Sequence, residues 1–123
     1  MTNNNKSNSK QYDLEERTFK FARDSRVFIK KVPRTIANIE DSKQLARSTG
    51  SQAANYIEAN EALSKKDFVM RVKICKKEAK ESRLWLRLID IGDDKELEAE
   101  RNALINECEQ LMKIFGSILE KSK

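Results

Sequence analysis

Apolar residues recur at intervals of three and four along most of the chain, the spacing that places side chains on one face of an α-helix. Four such stretches occur, at about residues 13–32, 36–63, 65–90 and 94–121. Pro33 separates the first two, because proline disfavours the helical conformation of the residue before it. Gly92 separates the last two, because glycine readily adopts the left-handed conformation that ends many helices. The pattern predicts an all-α protein.

Polar residues at the start of each stretch fit the N-terminal cap of a helix. In chain order, the candidates are Asp13, then Thr35 or the pair Asp41 and Ser42, then Ser64, then Asp93 or Asp94. Short connections between long helices make neighbouring helices antiparallel, so we predict an up-down-up-down four-helix bundle over residues 13–123. Residues 1–12 are polar, and we expect a disordered tail there.

The second predicted helix has a stripe that is poor in large side chains. Its expected inward-facing residues are Ile39, Ser42, Ala46, Thr49, Ala53, Tyr56 and Asn60. Gly50 lies in the middle of this helix, where glycine costs about 1 kcal/mol relative to alanine. A close approach by a neighbouring subunit is one reason for a glycine here, and we include Gly50 among the candidate interface residues. The alternative is a locally weak helix.

The third predicted helix carries its charges on separate sides. With about 100° of rotation per residue, eight basic side chains fall within roughly 120° of one another. This basic stripe consists of Lys65, Lys66, Lys73, Lys76, Lys77, Lys80, Arg83 and Arg87. Residues 64–91 hold nine Lys and Arg against four Asp and Glu, a net of +5 that equals the charge of the whole chain. The stripe is typical of phosphate-backbone binding, and the alternative is a solvated lysine-rich face.

The core face predicted for the third helix consists of Phe68, Val72, Cys75, Ala79, Leu86 and Ile89, and the stripe of the fourth consists of Leu97, Arg101, Leu104, Cys108, Leu111, Phe115 and Ile118. A second apolar cluster on the third helix lies about 90° or more from its core face. It consists of Met70, Ile74, Trp85 and Leu88, with Glu78 and Glu81 among them. One apolar face is enough for a bundle helix, and Trp and Met are enriched at interface cores. The cluster therefore predicts self-association. The alternative is a wide core face with Trp85 lying over a groove between helices.

The composition removes most catalytic chemistry. The chain has no histidine, which is the commonest general base and metal ligand. Three glycines in all cannot form a glycine-rich phosphate loop. Cys75 and Cys108 lie on apolar faces without CxxC spacing, so we interpret them as reduced core residues, with a disulfide between facing helices as the alternative. We expect a non-enzyme that needs neither a metal nor a cofactor.

Two further expectations concern location. The longest apolar runs are a few residues long, so we expect no membrane span. The polar N-terminus lacks the apolar core of a signal peptide, which favours the cytoplasm.

Several segments resemble the bacterial four helix bundle protein family, which includes proteins encoded in intervening sequences of 23S ribosomal RNA genes. The segments are RSTGSQAANYIEA at residues 47–59, SKKDF at residues 64–68 and KEAKESRLWL at residues 77–86. LEERTF at residues 14–19 and PRT at residues 33–35 also fit, so the resemblance covers about residues 13–119. Gln52 departs from the family, which usually has an apolar residue there, and Thr49–Gly50 inverts its usual order of small residues.

The resemblance implies a four-helix bundle that assembles as a ring-like homopentamer. A similar relative, the accessory protein of diversity-generating retroelements, implies a basic pentamer that binds nucleic acid and a reverse transcriptase. Together with the basic stripe, this leads to the hypothesis of a non-catalytic oligomer that binds RNA or DNA. The alternative is a protein-interaction scaffold or accessory subunit, in which the stripe pairs with a protein partner or with Glu98, Glu100 or Glu107 of its own fourth helix.

Overall fold

The structure is a computed structural model that describes the backbone of residues 5–123 and the side chains from Leu14 onward. It contains four helices, α1 (Asn5–Ile29), α2 (Ile36–Asn60), α3 (Lys65–Leu88) and α4 (Lys95–Lys121). No strand occurs in this part of the chain, and the predicted all-α class is confirmed. Helix α1 begins at Asn5 rather than near Asp13. Of the predicted tail, residues 1–4 lie outside the described residues.

Each helix runs antiparallel to its neighbours. Lys31, just beyond the end of α1, pairs with Glu100 near the start of α4 at 3.1 Å. Asn38, near the start of α2, exchanges hydrogen bonds with the backbone of Asp90, just beyond the end of α3. Contacts join α1 to α2, α2 to α3, α3 to α4 and α4 to α1. The helices therefore form the predicted four-helix bundle around one core.

Side-chain caps fix where three of the helices begin. The Thr35 hydroxyl caps α2, which decides between the alternatives left open by the sequence. The Ser64 hydroxyl caps α3 by accepting a hydrogen bond from the backbone of Asp67 at 3.0 Å, as predicted. The Asp94 carboxylate caps α4. Gly92 adopts the expected left-handed conformation, with a φ of 67°, but it lies in the connection to α4, because α3 is already capped at Ile89.

The core is built from one face of each helix. Its largest fully buried apolar side chains are Phe21, Phe28, Leu45, Val72, Leu86, Ile89, Leu111 and Phe115. Burying one such side chain contributes about 1.5–3 kcal/mol. Cys75 and Cys108 are buried and free, so the interpretation as reduced core residues is confirmed.

The inward face of α2 is rotated from the predicted one. Of the predicted residues, Ser42, Thr49 and Tyr56 are buried, whereas Ile39, Ala46, Ala53 and Asn60 are only partly buried. The other buried residues of this helix are Asn38, Leu45, Ser48, Gln52 and Ala59. The rotation places the Ser48 hydroxyl oxygen 2.7 Å, and Nε2 of Gln52 3.0 Å, from the hydroxyl oxygen of Ser82 on α3. The interface between α2 and α3 is therefore partly polar.

Candidate nucleic-acid interface

The basic stripe lies on the outward side of α3. This side is set by the core face, because Val72, Cys75, Ala79 and Leu86 are buried on the opposite side. Six of the eight basic residues are exposed, namely Lys65, Lys66, Lys73, Lys77, Lys80 and Arg87. Within the side chains that the structure describes, none of these six forms an ion pair. Their charges are therefore available to an anionic partner.

The two remaining residues of the stripe form its boundary with α4. Arg83 pairs with Glu109 at 3.3 Å, and both side chains are about a third to a half exposed. Lys76 is half-buried beside Gly116, with its Nζ 3.6 Å from the position that a Cβ on this glycine would occupy. One positive charge of the stripe is thus neutralised within the chain.

The acidic residues that the sequence offered as intrachain partners of the stripe lie elsewhere. Glu100 pairs with Lys31 and Glu107 with Arg17, both on the α1 side of the bundle. Glu98 lies 3.9 Å from Lys95 of its own helix. Pairing of the stripe with these three carboxylates is therefore wrong, because α4 turns Glu100 and Glu107 towards α1.

Sequence reasoning also missed Glu109. Arg83 lies nine residues before Gly92, whereas Glu109 lies seventeen residues after it. Because these separations differ, the chain positions alone do not predict the pairing, which depends on how α4 packs against α3.

The exposed cations form a long, regular row. The segment from Lys66 to Arg87 extends for about 32 Å at 1.5 Å per residue. Lys73, Lys80 and Arg87 recur every seven residues, about 10.5 Å apart along the axis. Leu84, 45% exposed, lies among them, as its wheel position beside Lys66 implies. The row therefore interleaves cations with an aliphatic side chain.

The second apolar cluster divides into exposed and packed members. Met70 and Leu88 are 50% and 53% exposed, whereas Ile74 and Trp85 are half-buried. Trp85 packs against the core cluster, as the alternative for this residue expected. Its Nε1 is buried without a hydrogen-bond partner in the described part of the chain. Met70 and Leu88 are thus the members of the cluster that are open to a second subunit.

The two carboxylates in this cluster bind α2. Arg47 contacts Glu78 and Glu81, each at 3.2 Å. The pKa of Arg47 is raised above its ordinary value, mainly by hydrogen bonding to Glu78 and next by the negative charge of Glu78. This side of α3 is therefore electrostatically satisfied, unlike the basic stripe.

Gly50 lies against α1. An added Cβ would lie 3.2 Å from Nη2 of Arg26, and the same Nη2 donates to the backbone carbonyl of Ala46. The missing side chain makes room for this guanidinium, so Gly50 has a packing reason within the chain. Its place in a subunit interface remains a prediction.

Among the described residues, no group of three or more Cys, Asp or Glu is placed to hold a metal ion. None of the described helices combines the length and the apolar character that crossing a membrane requires.

These features define a four-helix bundle that presents a row of unpaired cations on one helix. Residues 10–117 match the family described as 23S rRNA-intervening sequence protein, and the chain belongs to this family. The family indicated by the sequence motifs is thereby confirmed.

The fold is also similar to that of a solved protein. This relative is a protein with unknown function from the S23 ribosomal protein family from Bacteroides thetaiotaomicron, with 27% identity and a TM-score of 0.69. The match covers 86% of this chain and 97% of that one. No curated protein matches the chain significantly.

Proposed function

We propose that the protein is a non-catalytic oligomer that binds RNA or DNA through phosphate contacts made by the basic stripe. The observation that carries this proposal is the row of six exposed basic residues without ion pairs. A cation that is already paired with a carboxylate of its own chain binds a phosphate weakly. The open row supports a nucleic-acid partner over pairing within the chain.

The chemistry of the row sets the kind of binding. Lys and Arg contacts to phosphates release condensed counterions, so the affinity falls steeply as salt rises. Such contacts position the nucleic acid but carry no sequence information directly. Assembly of several copies would add weak contacts by avidity. We therefore expect salt-dependent binding with little sequence preference.

Fluorescence anisotropy with labelled RNA and DNA of about 24 nucleotides, over a salt series, tests the proposal. Lys73→Glu with Lys80→Glu changes two exposed residues of the row. We expect this double variant to bind at least about tenfold more weakly at low salt, with a salt slope smaller by about two.

Lys20→Glu with Lys30→Glu is the matched control, because it makes the same change of charge on exposed residues of α1 and its C-terminal end. Helix α1 contacts α2 and α4 rather than α3. We expect the control to retain most of the affinity. Equal losses in the two double variants, or no binding at low salt, would contradict the proposal.

A second candidate function is a protein-interaction scaffold. The exposure of Met70 and Leu88 beside the basic row favours it, because exposed apolar side chains next to charged ones are typical of protein interfaces. A partner of this kind would present apolar residues surrounded by carboxylates.

A further inference from the structure

We propose that the nucleic acid bound by the basic stripe is a duplex rather than a single strand, an inference that rests on the function proposed above. Two features of α3 favour a duplex: the side chains between its cations, and the rigidity of the row.

The exposed face of α3 offers no aromatic side chain for stacking. Phe68 and Trp85, the aromatic residues of this helix, are half-buried and pack against the core. Among the described side chains, the one exposed aromatic residue is Phe19, on α1. Proteins that bind single strands gain much of their affinity by stacking unpaired bases on aromatic rings. Unpaired bases along this row would find no such ring.

The exposed apolar side chains that lie among or beside the cations are not aromatic. Leu84 is 45% exposed among them, and Met70 is 50% exposed at their edge. Neither side chain presents a ring face to a base. The favourable contacts available along α3 are therefore those between cations and phosphates, which a duplex offers on its outer surface without exposing its bases.

The row is also long and fixed. Its length of about 32 Å is close to one turn of B-form DNA, about 34–36 Å. Contacts with α2 and α4 hold α3 on both sides. A duplex presents phosphates at a density of about one per 1.7 Å of its axis, and neutralising them releases more counterion per contact than for a single strand. A rigid row of cations is thus better matched to a rigid, dense row of phosphates.

The experiment compares ligands with similar numbers of phosphates, a duplex of about 12 base pairs and an unstructured strand of about 24 nucleotides, with the full chain at low salt. We expect the duplex to bind at least about fivefold more tightly. DNA duplexes and RNA duplexes are tested separately. Equal affinities for the two support recognition of the phosphates that they share, and a higher affinity for one of them identifies the kind of duplex that the protein binds. Equal or tighter binding of the single strand overturns this inference alone, whereas binding of neither overturns the proposed function as well.

A substitution at Leu84 tests the reason for the preference. Leu84→Trp places a ring face among the cations, and Leu84→Ala is the control. We expect Trp to tighten single-strand binding by about fivefold or more, and so to lower the ratio of duplex to single-strand affinity, whereas Ala leaves that ratio within about twofold. A ratio that Trp does not lower would show that missing stacking is not the cause, and would overturn the argument.

Discussion

The hydroxyl oxygens of Ser48 and Ser82 lie 2.7 Å apart in the buried interface between α2 and α3. The Ser82 hydroxyl donates to the backbone carbonyl of Glu78 at 2.9 Å. Its oxygen is thereby left to accept from the Ser48 hydroxyl and from Nε2 of Gln52 at 3.0 Å. One side chain of α3 thus serves two buried polar residues of α2.

Ser82→Ala should destabilise the protein by more than the loss of one ordinary hydrogen bond. The substitution removes the acceptor of the Gln52 amide, and leaving this buried donor unpaired costs about 1–3 kcal/mol. The Ser48 hydroxyl loses one partner but keeps a second acceptor, the backbone carbonyl of Leu45 at 3.4 Å. Urea denaturation followed by circular dichroism measures the change in the free energy of unfolding.

Gln52→Leu supplies the control for this prediction. Oε1 of Gln52 is buried without a hydrogen-bond partner among the described residues, so leucine removes an unsatisfied atom along with a satisfied one. We expect Gln52→Leu to change the free energy of unfolding by less than about 1 kcal/mol. Ser82→Ala should then cost less in the Gln52→Leu background. An equal cost in both backgrounds would refute the coupling.

Apolar periodicity was sufficient to predict the core faces of α3 and α4. Val72 and Cys75 on one helix, and Leu111 and Phe115 on the other, are all buried, because hydrophobic burial decides which face turns inward. The same reasoning failed on α2, where Ser48 and Gln52 are buried. Their burial depends on Ser82 of another helix, and a pattern within one helix does not contain that information.

The same distinction applies to the candidate site. The outward direction of the basic stripe followed from the core face of α3, which the sequence predicts. The ion pair between Arg83 and Glu109, and the partial burial of Lys76 beside Gly116, depend on how α4 is rotated against α3. The exposure of Met70 and the packing of Trp85 likewise required the neighbouring helices.

Gly50→Ala should have little net effect on stability. Alanine gains about 1 kcal/mol of helix propensity, but its Cβ would lie 3.2 Å from Nη2 of Arg26 and would disturb the bond of that atom to Ala46. In an Arg26→Ala background, Gly50→Ala should raise the stability by the full helix-propensity gain of about 1 kcal/mol. Gly116→Ala is the control, because its Cβ would make ordinary contact with Lys76 at 3.6 Å. Thermal unfolding of these variants measures the effect. If Gly50 were only a weak point of the helix, with no packing role, Gly50→Ala alone would stabilise the protein.

Glu109→Gln should strengthen nucleic-acid binding. Glu109 neutralises Arg83 at the edge of the basic stripe, so removing its charge releases one cation for phosphate contact. We expect the salt slope to increase by up to about one and the affinity at low salt to rise by a few fold, about threefold. Glu107→Gln has the same change of net charge but removes an ion pair with Arg17 on the α1 side of the bundle. Anisotropy titrations should therefore separate the two variants, and identical gains would place the bound phosphates elsewhere.

Met70→Asp with Leu88→Asp should reduce the oligomeric mass. Both side chains are about half exposed in the single chain, so the substitutions should leave its fold intact. In a subunit interface, the same carboxylates would be buried without partners, at a cost of several kcal/mol, about 3–5. Light scattering coupled to chromatography measures the mass, and Leu63→Asp at a fully exposed position is the control. A monomeric native protein at micromolar concentration would contradict the predicted interface.

Stability should decrease steeply above about pH 9, because two thiols are buried in the core. Burial raises the pKa of both Cys75 and Cys108 to about 12 from an ordinary value near 9. Between these values the unfolded chain loses thiol protons that the folded chain keeps, so the stabilisation is complete below pH 9 and is lost as the pH rises towards 12. At pH 10.5 the loss amounts to about 2 kcal/mol for each thiol.

Cys75→Ala with Cys108→Ala should flatten the curve of unfolding free energy against pH. Val72→Ala, which removes core volume without removing a titrating group, should lower the curve and keep its slope; parallel curves for the two variants would contradict the assignment to the thiols.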